Sequence, residues 1–420
     1  MFFQFFPRRV SQSIVLIHQP NNQGIPQRTD ILIHNNFITL ISPNIQPPLD
    51  ITEIIDCSNL IISPGLIDTH RHLWQTQLKG RHSDDLLGDY VTKGYLAGSF
   101  YEEGDARIGE SVGAMESMDA GTTMVVDHLH GVYTESHVDA AFEGLATSGM
   151  RAVFCPCPTK RVKRWLLELI FEEEEVPGWF MGMLEEIAGR RPMGHGRAEI
   201  GLAFDSFGIP TGEAERIFAK ARETFDAEPT SPALPQQNSK WVSANQSASI
   251  KTLLMSLPSA LTATPHPHPV IDQARLALQY TRGRMNKHSL DNESSISMKN
   301  KTVDAFNLVT IKGARAVGLE DKIGSIAVGK LADLVFWDMN SPGMLAAAEQ
   351  DPVAAIVHHS SLRDVRGVII DGVWRKRDGK LLPVSLPGAG MMAWEDVAKE
   401  LLKSRRAIEG RIAKVHAGLR

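Results

Sequence analysis

Two periodicities divide the chain. From about Ser13 to Leu60, short apolar runs alternate with turn formers. "SIVLIH", "DILIHNNFITLIS" and "ITEIIDCSNLIIS" are rich in Ile, Val, Leu and Thr and are broken by Asn, Pro and Gln. Such runs read as the strands of a small β-domain. The stretch from about Gly324 to Val384 has the same texture. There "GSIAVGKLADLVFWD" and "DVRGVIIDGVWRKRDGKLL" are punctuated by Asp371-Gly372 and Asp378-Gly379, dipeptides that favour hairpin turns. The two flanks are expected to join as one β-sandwich formed from both chain ends.

Between them, strand-like and helix-like patterns take turns. "LIISPGLIDTH", "TTMVVDHLH", "MRAVFCPC" and "AEIGLAFDSFG" read as four strands. "DARIGESVGAMESMDAG", closing on Gly121, and "VDAAFEGLATSG" read as helices. So does "TGEAERIFAKARETFDAE", opened by Thr211 with Glu213 and Glu215 in its first turn. This repetition predicts a parallel α/β fold, and a (β/α)8 TIM-type barrel fits best, complete or incomplete.

The alternation then stops. Residues 227–272 are rich in Pro, Ser, Ala, Thr and Gln and read as irregular. "IDQARLALQYTRGRM" and "TVDAFNLVTIKGARAVGL" restore helical periodicity, and "AWEDVAKELLKSRRAIEGRIAKVHAG" reads as a basic amphipathic helix packed on the surface. The expected boundaries are 1–63 for the N-terminal part of the sandwich, 64–320 for the barrel, 321–384 for the C-terminal part of the sandwich and 385–420 for the last helix.

Composition narrows the classes. The 420 residues are 43% hydrophobic and 22% charged, ordinary values for a globular protein. A net charge of -5 and a pI near 6.3 point to neither nucleic acid nor an acidic membrane surface. The 3 cysteines form no disulfide framework, so a reducing, cytoplasmic setting is expected. "MFFQFFPRRV" is short and cut by Pro7, which argues against a signal peptide. No apolar run reaches the ~18–20 residues of a membrane helix.

The chemistry gathers at strand ends. "PGLIDTHRHLWQTQLKG", Pro64 to Gly80, sets His70 and His72 two apart, so on a strand both imidazoles point to one face. Barrel enzymes keep their chemistry at the C-terminal mouth, and two neutral imidazoles suit zinc, with iron as the alternative. Gln75 and Trp74 follow closely and are candidates for substrate contact. Asp127, His128 and His130 end the second strand. Alternation sends His128 and His130 to one side and Asp127 to the other, which makes His128 a substrate-binding candidate. Asp205 ends the fourth strand and could reach the mouth. His266 and His268, flanked by proline, read as solvated, though they could substitute as ligands. Glu172–Glu175 read as a solvated acidic face, His195 as part of a Gly-rich turn, and His358 and His359 as structural.

"SPGLIDTHRHLWQTQLKG" resembles the first-strand signature of the amidohydrolase superfamily. More narrowly, it is similar to the branch of triazine chlorohydrolases and cytosine, guanine and S-adenosylhomocysteine deaminases. "GTTMVVDHLH" and "AFNLVTIKGARAVGLEDKIGSIAVGKLADLVFWD" extend the resemblance to about two thirds of the chain. It implies one divalent metal on His70 and His72 and attack of metal-activated water on a C–N, or less often C–halogen, bond of a small cyclic molecule. It also implies further ligands: a His from strand five, a His from strand six and an Asp from strand eight. No His lies between His195 and His266, and "SANQSASI", which resembles the segment after that Asp, is preceded by "NSKWV". Strands five to eight need on the order of 100 residues at ~30 per βαβ unit, against about 46 here. The irregular stretch therefore reads as a deletion joined to an insertion. Two functions stay open: an active hydrolase whose ligands come from unexpected positions, or an inactive or truncated relative kept for binding or structure. A homo-oligomer is compatible with either.

Overall fold

β-Branched residues in alternation draw both ends of the chain into one sheet. The computed structural model describes residues 7–18, 24–46, 53–86, 90, 96–160, 162–164, 170–174, 176–190, 192–205, 209–226, 269–292 and 300–417. They divide into two compact units. One is drawn from Met1–Thr69, Ser117–Met124 and His268–Leu382, the other from His70–Glu116, Val125–Pro267 and Pro383–Arg420.

The first unit holds a 9-stranded sheet. Arg8–His18, Gly24–His34 and Phe37–Ser42 are antiparallel neighbours, and Leu60–Pro64 lies parallel to the first of them. Leu60–Pro64 also pairs antiparallel with Leu334–Asp338, followed by Val365–Ile370, Val373–Arg377 and Lys380–Leu381. The two ends of the chain thus meet along one strand pair, as the sequence led us to expect. Val10, Val15, Ile31, Ile33, Ile62, Leu334, Phe336 and Ile369 fill the core beside this seam. Trp337 Nε1 donates to Ser63 Oγ across it at 2.9 Å. Asp371-Gly372 and Asp378-Gly379 both take positive φ at each residue, the geometry of primed hairpin turns.

The α/β part starts one residue after this sheet. We number its elements β1 (Leu66–Arg71), α1 (Glu103–Asp119), β2 (Thr122–Val132), α2 (Glu135–Ser148), β3 (Arg151–Pro158), α3 (Phe180–Gly189), β4 (Ala198–Ile200) and α4 (Thr211–Asp226). α5 (Val270–Asp291) and a C-terminal α6 (Trp394–Ala417) come later. The four strands form a sheet in the order β4-β3-β2-β1, with β3 and β4 parallel. β4 is shorter than its eleven-residue sequence pattern. Its backbone still follows β3, because Gly201 and Ala203 donate to the carbonyls of Phe154 and Pro156. α2 opens on Thr134, whose side chain accepts from the His137 amide, and closes on Gly149 at φ 85. The irregular stretch expected at 227–272 lies outside the described residues as far as 268. Its last residues differ from expectation, because α5 begins at Val270, straight after Pro269. No helix among the described residues is long and apolar enough to cross a membrane.

In the second unit, two features hold the segment after β1. Leu73–Leu78 form a fully buried 3-10 turn. Gly109 and Gly113, one helical turn apart on α1, receive its backbone. A Cβ on Gly109 would lie 2.5 Å from the Trp74 carbonyl oxygen, and one on Gly113 2.3 Å from that of Leu73. From the other side, α6 ties in through its basic and hydroxyl residues. Arg405 donates to the Lys79 carbonyl at 2.9 Å, Gln77 to Ser404 at 3.1 Å, and Arg411 and Ser404 both reach Asp105. The terminal helix therefore belongs to this unit, and two of its arginines serve it internally. A Gly113→Ala variant is expected to lose about 1–3 kcal/mol of stability, the usual cost of overpacking a site with no room to relax. Urea denaturation reads it, and an unchanged midpoint would mean that the turn is not seated on the helix.

Candidate metal centre

β1 and β2 end side by side, and their histidines converge. The His70 and His72 ring centroids are 5.0 Å apart, and His128 lies 5.2 Å from the first and 5.1 Å from the second. One ligand atom from each of the three falls within 4.8 Å of the others. His130 stands 4.4 Å from His72. Asp127 faces the other way, and its Oδ1 accepts from the Leu73 amide at 3.1 Å. The two-residue period of β2 thus separates an imidazole face from a carboxyl face.

Hydrogen bonds fix two tautomers. His72 Nδ1 lies 2.7 Å from the His128 carbonyl oxygen. A carbonyl only accepts, so Nδ1 carries the proton and Nε2 is bare. His128 Nε2 lies 3.0 Å from Asp205 Oδ2 and donates to it, while His128 Nδ1 is buried and has no partner among the described residues. Burial, aided by mutual repulsion, keeps His70, His72 and His130 neutral. It pulls His70 down to about 4, with His128 adding to the effect and Asp205 opposing it. It pulls His130 down to about 3 and His72 well below the usual imidazole range. Burial alone would raise Asp205. The hydrogen bond from His128 and the nearby imidazoles outweigh it and hold that carboxyl below its ordinary value.

Comparison with known proteins bears on the family and the fold. A model of the amidohydrolase family matches residues 271–375. The 5'-deoxyadenosine deaminase of Methanosphaera stadtmanae is 25% identical over 415 residues, covering 86% of this chain and 92% of that protein. The 5-methylthioadenosine/S-adenosylhomocysteine deaminase of Halobacterium salinarum is 26% identical over 406 residues, covering 84% and 90%. These matches bear out the expected resemblance to the amidohydrolase superfamily and, within it, to the deaminase-like branch. Two solved structures share its fold. The zinc-bound adenosine deaminase from Xanthomonas campestris superposes with a TM-score of 0.72 at 14% identity, covering 96% of this chain and 98% of that one. Triazine hydrolase from Arthrobacter aurescens gives 0.71 at 15% identity, covering 95% and 99%. The expected fold, a (β/α)8 TIM-type barrel, complete or incomplete, with a β-sandwich, agrees with these neighbours, and the described residues hold a four-stranded part of the barrel sheet.

The other residues singled out in the sequence are spread more widely. Gln75 is buried in the 3-10 turn, its amide nitrogen 2.5 Å from the Tyr90 hydroxyl and 3.2 Å from His130 Nε2. Trp74 is fully buried, edge-on to Tyr101 and His130. Asp205 is partly exposed and, with Cys157, forms a second ligand-like group around His128. His195 adopts φ 59 in its Gly-rich turn, Glu172–Glu174 are exposed, and His358 bonds to Thr302. Asp272 pairs with Arg275 at the start of α5. His266 and His268 lie outside the described residues.

Sequence reasoning missed Glu110. It sits on α1, completely buried, facing Asp127. Two carboxyl groups bond to each other only if one holds a proton. Among the described residues no donor reaches either Glu110 oxygen or Asp127 Oδ2, so only a proton held by one of the two carboxyls can join them. Burial, then the charge of Asp127, pushes Glu110 well above the usual carboxylate range, and burial pushes Asp127 up to about 6. The one available signal was an acid between the glycines of "IGESVGAM" on a helix face of small residues.

The sign of the pH effect follows. An acid whose folded pKa is raised contributes its full stability below the unfolded value, here 4.5 for Glu110. It loses that contribution as pH rises through the folded value. A neutral amide has no such loss. Glu110→Gln is therefore expected to be more stable than the parent at pH 8, with the gain shrinking toward pH 4. Urea midpoints across that range check it, and a gain independent of pH would refute the shared proton.

Proposed function

We propose that the chain is a metal-dependent hydrolase that deaminates a small aminated heterocycle, with adenosine derivatives as the first substrates to consider. The observation that carries this reading is the convergence of His70, His72 and His128 at the ends of two neighbouring strands. The donor set fits a divalent metal. His70 and His72 are neutral, His72 and His128 each keep a bare ring nitrogen, and an ionised carboxylate lies alongside. His70 and His72 would hold the ion, with zinc preferred and iron the alternative. Bound there, zinc supplies a nucleophile at neutral pH by lowering the pKa of water toward ~7.

The chain's own groups supply the rest. Gln75, gripped by Tyr90 and His130, presents a fixed amide beside the cluster for the polar edge of a heterocycle. Trp74, wedged between Tyr101 and His130, closes the wall behind it and excludes water. Asp205, kept ionised, can take a proton from the attacking water and pass it to the departing amino group, which leaves as ammonia. The deaminase names of the full-length relatives support an aminated purine nucleoside as substrate.

The test is ammonia release by the zinc-loaded chain from 5'-deoxyadenosine, 5'-methylthioadenosine and S-adenosylhomocysteine. Turnover that stops on chelation is expected. In His70→Ala/His72→Ala, kcat/KM is expected to fall by more than about 10³-fold, because several kcal/mol of transition-state stabilisation are lost. A zinc-loaded chain that releases no ammonia from any of them would overturn the deaminase assignment and favour a binding role.

A further inference from the structure

The superfamily resemblance draws the remaining metal ligands from strands five, six and eight. Side chains of β2 and of the segment following β4 offer a different closure. His128 presents two ring nitrogens with distinct surroundings. Nε2 donates to Asp205 at 3.0 Å, whereas Nδ1 is buried and meets no partner among the described residues. A buried polar atom without a partner costs free energy unless something else satisfies it, and this atom belongs to a ring about 5 Å from those of His70 and His72. Its neighbour His130 differs. Trp74 donates to its Nδ1 at 3.4 Å and Gln75 meets its Nε2 at 3.2 Å, so both nitrogens are engaged.

We propose that His128 is a metal ligand through Nδ1 and that Asp205 positions it through Nε2, so that the ion is closed by β2. This rests on the metal-dependent reading given above. A ligating histidine commonly donates its other N–H to a carboxylate or a backbone carbonyl, which fixes the tautomer and the ring. Both forms occur here: Asp205 serves His128, and the His128 carbonyl serves His72. The same residue therefore offers one ligand atom and orients another. Cys157 lies close to His128 and Asp205 but takes no part. Its thiol is completely buried, and burial, then the charge of Asp205, keeps it protonated.

Zinc and cobalt are the probes, added to the full chain. X-ray absorption of the zinc-loaded, unsubstituted protein is expected to count three imidazoles, and a count of two would overturn the proposal without any variant. Zinc affinity, measured against a chromophoric chelator, is expected to fall roughly 10–100-fold in Asp205→Asn, the usual cost of removing such a partner. It is expected to fall further in His128→Ala. Unchanged affinity in a folded His128→Ala would overturn the assignment. A thiolate charge-transfer band in the cobalt-loaded protein would also overturn it, by placing the ion on Cys157. Zinc lost only in His70→Ala/His72→Ala would sink this proposal and leave the metal-dependent reading standing. No zinc bound by the unsubstituted chain would sink both.

Discussion

The hydrogen bond from the Leu73 amide to Asp127 sets the geometry on which the histidine cluster depends. It joins the end of β1 to the end of β2 just where each strand delivers its imidazoles. A slip of one residue in either strand would turn every side chain to the opposite face. Asp127 would then enter the cluster and His128 would leave it. The bond is buried, so breaking it would strand a polar group in a medium that cannot hydrate it. That penalty makes the register selective.

The acid that accepts this bond is costly to bury, and α1 carries the cost in an unusual way. Glu110 comes from the helix to share a proton with Asp127. The same helix seats the backbone of Leu73 and Trp74 in the notch formed by Gly109 and Gly113. One face of α1 therefore supports the turn by shape and by proton sharing at once. From the far side α6 completes the support, with Arg411 and Ser404 on Asp105 at the N-terminal end of α1. The clustered histidines of β1 and β2 are thus held from behind, which is the preorganisation that an ion site requires.

Local periodicity made much of this legible. The two-residue spacing of His70 and His72, and of His128 and His130, put them on one face before any coordinates. Asp-Gly pairs marked the hairpins of the closing sheet, and Gly121 and Gly149 marked helix ends. What stayed hidden was contact between residues far apart in sequence. Nothing in the local pattern of α6 announces that Ser404 meets Gln77 or that Arg411 meets Asp105. Cys157 read only as one of three cysteines that form no disulfide framework, because its closeness to Asp205 depends on β3 and β4 being parallel neighbours. Glu110 looked like an ordinary helix charge because its partner lies on a different strand.

The four described strands also bear on how a superfamily site can change without losing its chemistry. A metal at the mouth of a barrel needs three or four donors within a few ångströms, and every strand end points toward that place. Donors are therefore partly interchangeable among strands, provided that each new one brings an orienting partner. His128 arrives with Asp205 already bonded to it, and His72 with the His128 carbonyl. A ligand oriented by its own strand or by the next loses little rotational freedom when it binds. Neighbouring strands can in this way gather a site that the superfamily pattern spreads around the whole barrel, with the cost of ordering met by β-sheet pairing that the fold needs in any case.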